Sequence, residues 1–232
     1  MAAERILYWI RADGSGEAER LTHSEAGPQP SHRLQFPGSW SPDGRTLVFL
    51  QRLGSTASVN RDIWAFTLGN SVREARPFLV TASDEPSAEV SPDGRYLAYE
   101  SNQSGRSEIY VQPFPGSGRR ELVSIDGGVQ PVWARNGREL FYRASQGPGP
   151  TMRMMVVDVR LGDVFTAGRP RVLWEAMRAR YPGGTGGRTY DVAPDGRRFL
   201  MIQQRDLPQP PITHVVLVQN WLDELKRLAP RN

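Results

Sequence analysis

The chemistry open to this chain is limited by residue type before spacing is considered. There are three histidines, His23, His32 and His214, and no pair of them falls at a metal-ligand interval. Cysteine is absent, which removes a thiol nucleophile, a disulfide framework and thiolate metal sites together. No G-x-S-x-G phrase occurs, so the strand–turn–helix that presents an α/β-hydrolase serine is not encoded in these residues. Gly183, Gly184, Gly186 and Gly187 lie in "ARYPGGTGGRTY", but the phosphate-cradle spacing G-x-x-x-x-G-K-[ST] fails there and the stretch reads as a loop. Asp43, Asp93 and Asp195 recur in equivalent phrases and could pass for a catalytic or calcium set. Each sits between Pro and Gly, where an aspartate bonds the backbone of its own turn, and that explains the recurrence. The expectation is no catalytic residue, no cofactor and no metal.

The phrase that carries those aspartates also organises the chain. "SWSPDGRTLVFL" from Ser39 is followed by "AEVSPDGRYLAYE" from Ala88, "PVWARNGRELFYR" from Pro131 and "YDVAPDGRRFLMI" from Tyr190. Aligned on Ser41, Ser91, Ala134 and Ala193, the copies stand 50, 43 and 59 residues apart. In each, a strand runs into a tight turn whose glycine takes the left-handed conformation, and a second strand follows. Third and fourth strands are read over "DIWAFTL" and "ARPFLVT", over "SEIYVQPF" and "RRELVSI", and over "MRMMVVDV" and "RPRVLWE", the last pair joined by "RLGDVFTAG". Four strands per repeat with no helical period between copies define an all-β propeller of four-stranded antiparallel blades.

The expected layout is a partial blade over 1–24 and full blades over about 36–81, 85–126 and 129–176. A second partial blade covers 188–221, and a short C-terminal helix covers 222–229. The terminal pieces duplicate the third strand of a blade, since Ile6–Arg11 and Thr213–Val218 compete for one position. The reading is therefore an arc of a larger ring that exposes Ile6, Tyr8 or Ile10 and self-associates through that open edge. Trp9, Trp40, Trp64, Trp133, Trp174 and Trp221 fall on strands and are read as packing between blades.

The net charge of +4 and the pI near 9.7 invite a nucleic-acid reading. It fails because the cations are scattered among nearly as many carboxylates; Lys226 is the single lysine, and no basic run exists. No stretch approaches 18 apolar residues and the first residues lack a basic n-region, so the chain reads as soluble, without an export signal.

The phrases "SPDGRYLAYESNQSGRSEIYVQPFPG", "GGVQPVWARNGRELFY", "YDVAPDGRRFLM" and "VVLVQNWLDELKRL" resemble the TolB-type propeller repeat, a relative of WD repeats. More narrowly, they resemble the C-terminal propellers of bacterial transmembrane serine/threonine protein kinases. That resemblance implies a sensor or interaction domain outside the cytoplasm, reaching a membrane only through a segment this chain does not contain. Kinase motifs such as "HRD" and "DFG" are missing, so kinase activity is not implied. Prolyl-peptidase propellers share the repeat, and by that likeness the chain is at most a gating domain.

Loops joining strand two to three and strand four to the next strand one meet on one rim of a propeller. The groups expected to bind a partner there are Arg52, Arg61, Asp84, Glu85, Asn102, Arg106, Arg180 and Arg188. The leading expectation is a non-catalytic platform for a protein, a peptide or a small ligand. The rivals are a gating or channel-bearing propeller of a hydrolase or lyase, and a structural fragment. For channel chemistry, Trp40, Val90, Val132 and Asp191 are read as the axial positions, which leaves Asp191 as the one polar group.

Overall fold

The computed structural model describes residues 5–22, 33–53, 60–69, 73–116, 118–144, 151–177 and 188–204. Within them the chain is all-β, built as successive antiparallel sheets. The N-terminal pair is β1 (Tyr8–Trp9) and β2 (Glu19–Arg20). The first full blade runs β3 (Arg33–Trp40), β4 (Thr46–Leu53), β5 (Asp62–Leu68) and β6 (Arg73–Leu79), paired in chain order. The second follows the same order with β7 (Ala88–Val90), β8 (Tyr96–Ser101), β9 (Glu108–Pro113) and β10 (Glu121–Leu122). The third comprises β11 (Val129–Trp133), β12 (Glu139–Arg143), β13 (Thr151–Leu161), β14 (Phe165–Ala167) and β15 (Arg171–Met177). The last described pair is β16 (Tyr190–Val192) and β17 (Phe199–Met201). The expected third strand of that blade, the C-terminal helix and Trp221 lie outside the described residues.

The four turns between first and second strands form as their residues dictate. Ser41 Oγ and the Arg45 N–H both donate to Asp43 Oδ1, and Ser91 Oγ and the Arg95 N–H do the same at Asp93. Asn136 and Asp195 each accept from the N–H two residues on. Gly44, Gly94, Gly137 and Gly196 have φ of +68°, +76°, +67° and +67°, the left-handed region that glycine enters without penalty.

Packing between sheets supplies the core. Both faces of β8 are covered, and all six of its residues are buried, as an apolar strand between neighbouring sheets must be. Leu97 and Tyr99 pack toward the first blade, Ala98 and Tyr96 toward the third. Separate clusters join the third blade to Tyr190 and Phe199, and the N-terminal pair to Phe49 and Phe66. Trp133 is buried, but Trp40 is 45% exposed, so the expectation that tryptophans lie between blades fails at Trp40.

The connector "RLGDVFTAG" departs from its reading as a plain loop. It folds back as β14 on the end of β13, and Phe165 packs against Tyr96 and Trp133. Arg95 and the Tyr96 hydroxyl donate to the carbonyls of Leu161 and Gly162. The hairpin therefore clasps the preceding blade. At the N-terminus Leu7 is buried while Tyr8 and Ile10 face outward, the alternation of a strand covered on one side.

Candidate functional site

The innermost strands β3, β7, β11 and β16 are edges of their sheets, with β7 packed between β3 and β11. The first three, with Arg188 ahead of β16, bound a narrow cleft of about 90 Å³. Its walls come from Phe36, Pro37 and Ser39 of the first blade, Pro86, Ser87 and Glu89 of the second, Pro131 of the third, and Arg188 ahead of β16. Two of the strands bulge where they line it. Gly38 is the extra residue in β3, and a Cβ there would stand 2.6 Å from the Val48 carbonyl oxygen, so only glycine fits. In β11 Gln130 and Pro131 together oppose one residue of β12, and Gln130 sits at φ +56°. That conformation costs a side chain about 1 kcal/mol and persists because its surroundings fix it. The Gln130 N–H donates to Glu100 Oε2, its carbonyl accepts from the Tyr190 hydroxyl, and its side-chain oxygen accepts from Thr189 Oγ1.

One ion pair crosses the cleft. An Arg188 terminal nitrogen lies 3.1 Å from Glu89 Oε1 and 3.8 Å from Asp191, while Glu89 Oε2 accepts from the Trp133 N–H at 3.0 Å. Glu89 thus ties the inner strands of three blades. Burial pushes its carboxyl above the ordinary range, against the pull of Arg188 and the Trp133 N–H. This corrects the axial positions expected from the sequence: Val90 and Val132 are buried in the blades and Trp40 does not line the cleft. Glu89 was missed. Its signal was its place between Ala88 and Val90, since a strand residue flanked by two core positions must face the other way.

Of the rim residues expected to bind a partner, Arg61, Asp84 and Asn102 are brought together and engage one another. Arg61 donates to both oxygens of Asp84, Nε to Oδ1 at 2.9 Å and a terminal nitrogen to Oδ2 at 2.7 Å. Hydrogen bonding to Asp84 holds the guanidinium even above its usual range. The Asp84 N–H in turn donates to Asn102 Oδ1. Arg106 is held by the buried Glu108 at 2.6 Å, and Glu108 also accepts from Ser124 Oγ and the Gly127 N–H. Glu85 is 0% exposed and does not face a ligand at all. Arg52 is half-buried, with its Nε enclosed and without a hydrogen-bond partner among the described residues. Of the described members of the eight, Arg188 alone reaches the cleft. Arg180 and the three histidines lie outside the described residues.

With sheets, turns and cleft in place, the class is clear: the chain is a TolB-like β-propeller. It superposes on a TolB-type protein of Agrobacterium tumefaciens with a TM-score of 0.54 at 20% identity, over 75% of this chain and 58% of that one. It superposes on a puromycin-hydrolyzing peptidase of Mycobacterium tuberculosis with a TM-score of 0.58 at 20% identity, over 83% of this chain and 31% of that one. In sequence, 119 residues, 49% of the chain, are 27% identical to the uncharacterized peptidase YuxL of Bacillus subtilis. They span 18% of that protein. No family model matches.

These matches correct the leading expectation. The non-catalytic sensor platform, and the exclusion of an enzyme that went with it, are overturned because the sequence similarity runs to a peptidase, which favours the rival hydrolase reading. A second peptidase is among the structures that share the fold.

Proposed function

We propose that this propeller is the gating domain of a peptidase-class hydrolase, admitting peptide through the cleft between its inner strands. The similarity of half the chain to a peptidase carries this reading. The cleft supports it physically. An exposed edge strand captures extended peptide by adding it as a further strand, using its free N–H and C=O groups. Here Pro37, Pro86 and Pro131 stand along the inner edges, and proline has no N–H to donate. A peptide can pass such a wall without being zipped onto it. At about 90 Å³ the cleft accepts a side chain or a chain end and excludes a folded domain. The Glu89–Arg188 pair is a bar across it, anchored on the Glu89 side by Trp133 and partly solvated on the Arg188 side.

The test is hydrolysis by the natural polypeptide that carries this propeller, given unstructured peptides graded in length alongside a folded protein. Cleavage of the short peptides with the folded protein spared is the expected outcome. No peptide cleavage, or equal cleavage of all substrates, would overturn the proposal.

A further inference from the structure

Glu85 and Gln35 occupy equivalent places in two successive repeats, 50 residues apart and each six residues before the turn serine. Gln35 is buried, and its Oε1 accepts from Thr22 Oγ1 and the Leu7 N–H. Its Nε2 donates to Gln51 on the paired strand at 2.8 Å. Glu85 repeats the accepting half of the pattern with a carboxyl: Oε1 accepts from Thr81 Oγ1 at 2.9 Å and from Ser101 Oγ at 3.0 Å. Ser101 is the repeat equivalent of Gln51. Glu85 Oε2, fully enclosed, has no partner among the described residues. Both anchors directly precede the cleft wall, Gln35 before Phe36 and Pro37, Glu85 before Pro86 and Ser87.

A neutral carboxylic acid is the isostere of an amide, whereas a buried carboxylate with a bare oxygen costs several kcal/mol. The charges facing Glu85 make ionisation harder: Asp62 approaches from β5 and Asp84 from its own loop, while Arg61 is taken up by Asp84. The neutral Tyr99 hydroxyl faces it from β8, with Arg120 against Tyr99. We propose that Glu85 is a proton-operated anchor of the cleft wall: neutral, it takes the accepting role of Gln35 and holds the segment from Asp84 to Glu89 in place; ionised, it releases that segment and loosens the mouth. The role in gating rests on the peptidase reading, but the proton-linked anchor does not.

The direction of the pH effect follows from the carboxyl chemistry. Burial pushes Glu85 from 4.5 up to about 7, against the pull of Thr81 and Ser101. A carboxyl raised in the folded state contributes stability that is complete below its unfolded value and lost as pH climbs through the folded one. The loss therefore runs from about pH 4.5 to somewhat above 7.

Thermal melts of the full chain and of Glu85→Gln across this range test the anchor. Both proteins should lose stability toward pH 8 as Glu89 and Glu100 ionise, but the variant should lose less and melt about 5 °C higher there. In ¹³C-carboxyl NMR, the signal that vanishes in Glu85→Gln should titrate near pH 7. A Glu85 signal that titrates below pH 5, or a variant that follows the wild-type melting profile, would overturn the anchor. Amide exchange at Ser87, Ala88 and Glu89 tests the release. It should accelerate above pH 7, beyond the intrinsic pH effect, in wild type and not in the variant; equal acceleration in both would overturn the coupling to the cleft wall. Absence of peptide hydrolysis would sink the gating proposal while leaving all three readouts as expected.

Discussion

On the rim that carries the Pro-Asp-Gly turns, Asp93 accepts from Ser91 and Arg95, each two residues away. On the opposite rim Glu108 accepts from Ser124, 16 residues on, and from Gly127, 19 residues on, while Glu100 accepts from Gln130, 30 residues on. The first rim is a set of turns closed mainly by their own residues, with one clasp between blades where Arg95 and Tyr96 hold the β14 hairpin. The second is a belt in which every buried carboxylate joins strands that are distant in sequence. On the second rim and the cleft it adjoins, charged and polar side chains from several blades converge. The same convergence brings Arg61 to Asp84 and Arg188 to Glu89.

The contrast predicts unequal responses to substitution. Glu108→Ala should have the largest effect, about 3 kcal/mol in denaturant melts, because it strands Ser124 Oγ and the Gly127 N–H in the interior. Amide exchange should then rise in both β9 and the segment before β11. Gly94→Val should cost less, about 1–2 kcal/mol, from forcing a β-branched residue to φ +76°. Its exchange change should stay within the one hairpin. If Gly94→Val opened neighbouring blades as widely as Glu108→Ala, the distinction between the rims would fail. The smallest effect belongs to Arg76→Ala, whose ion pair with Glu74 is open to solvent and should leave the melting temperature unchanged within error.

The turn rim was legible in the sequence because its signals are local: Pro, Asp and Gly in order specify a turn without reference to the rest of the chain. Repetition of that phrase then revealed the fold. The belt was half legible. Loop order placed Arg61, Asp84, Asn102 and Arg106 on one rim, but their mutual pairing depends on blade-to-blade distances that no local pattern encodes. Glu85 was misread for that reason, since a carboxylate in a loop looks solvent-facing until Thr81 and Ser101 close over it. Glu89 and the prolines of the inner edges left signals that went unread. Alternation about Ala88 and Val90 aims Glu89 away from the core, and a proline inside a strand marks an edge. The β14 hairpin was hidden because Gly162-Asp163 resembles any connector until Phe165 finds Tyr96 and Trp133. The peptidase link stood as a rival reading of the repeat, and similarity to a peptidase raised it above the sensor platform.

The most direct test of the account is a double-mutant cycle on the bar across the cleft. The ratio of kcat/KM for a long unstructured peptide to that for a dipeptide substrate would be measured for the natural protein, Glu89→Gln, Arg188→Ala and the double variant. If the pair bars the mouth, each single variant should raise the ratio, on the order of tenfold for the loss of one interaction worth about 1.4 kcal/mol. The double variant should add little to either single one, because either change already breaks the pair. A ratio that stays at the wild-type value in all three variants, in protein that melts normally, would contradict the cleft as the route by which peptide enters.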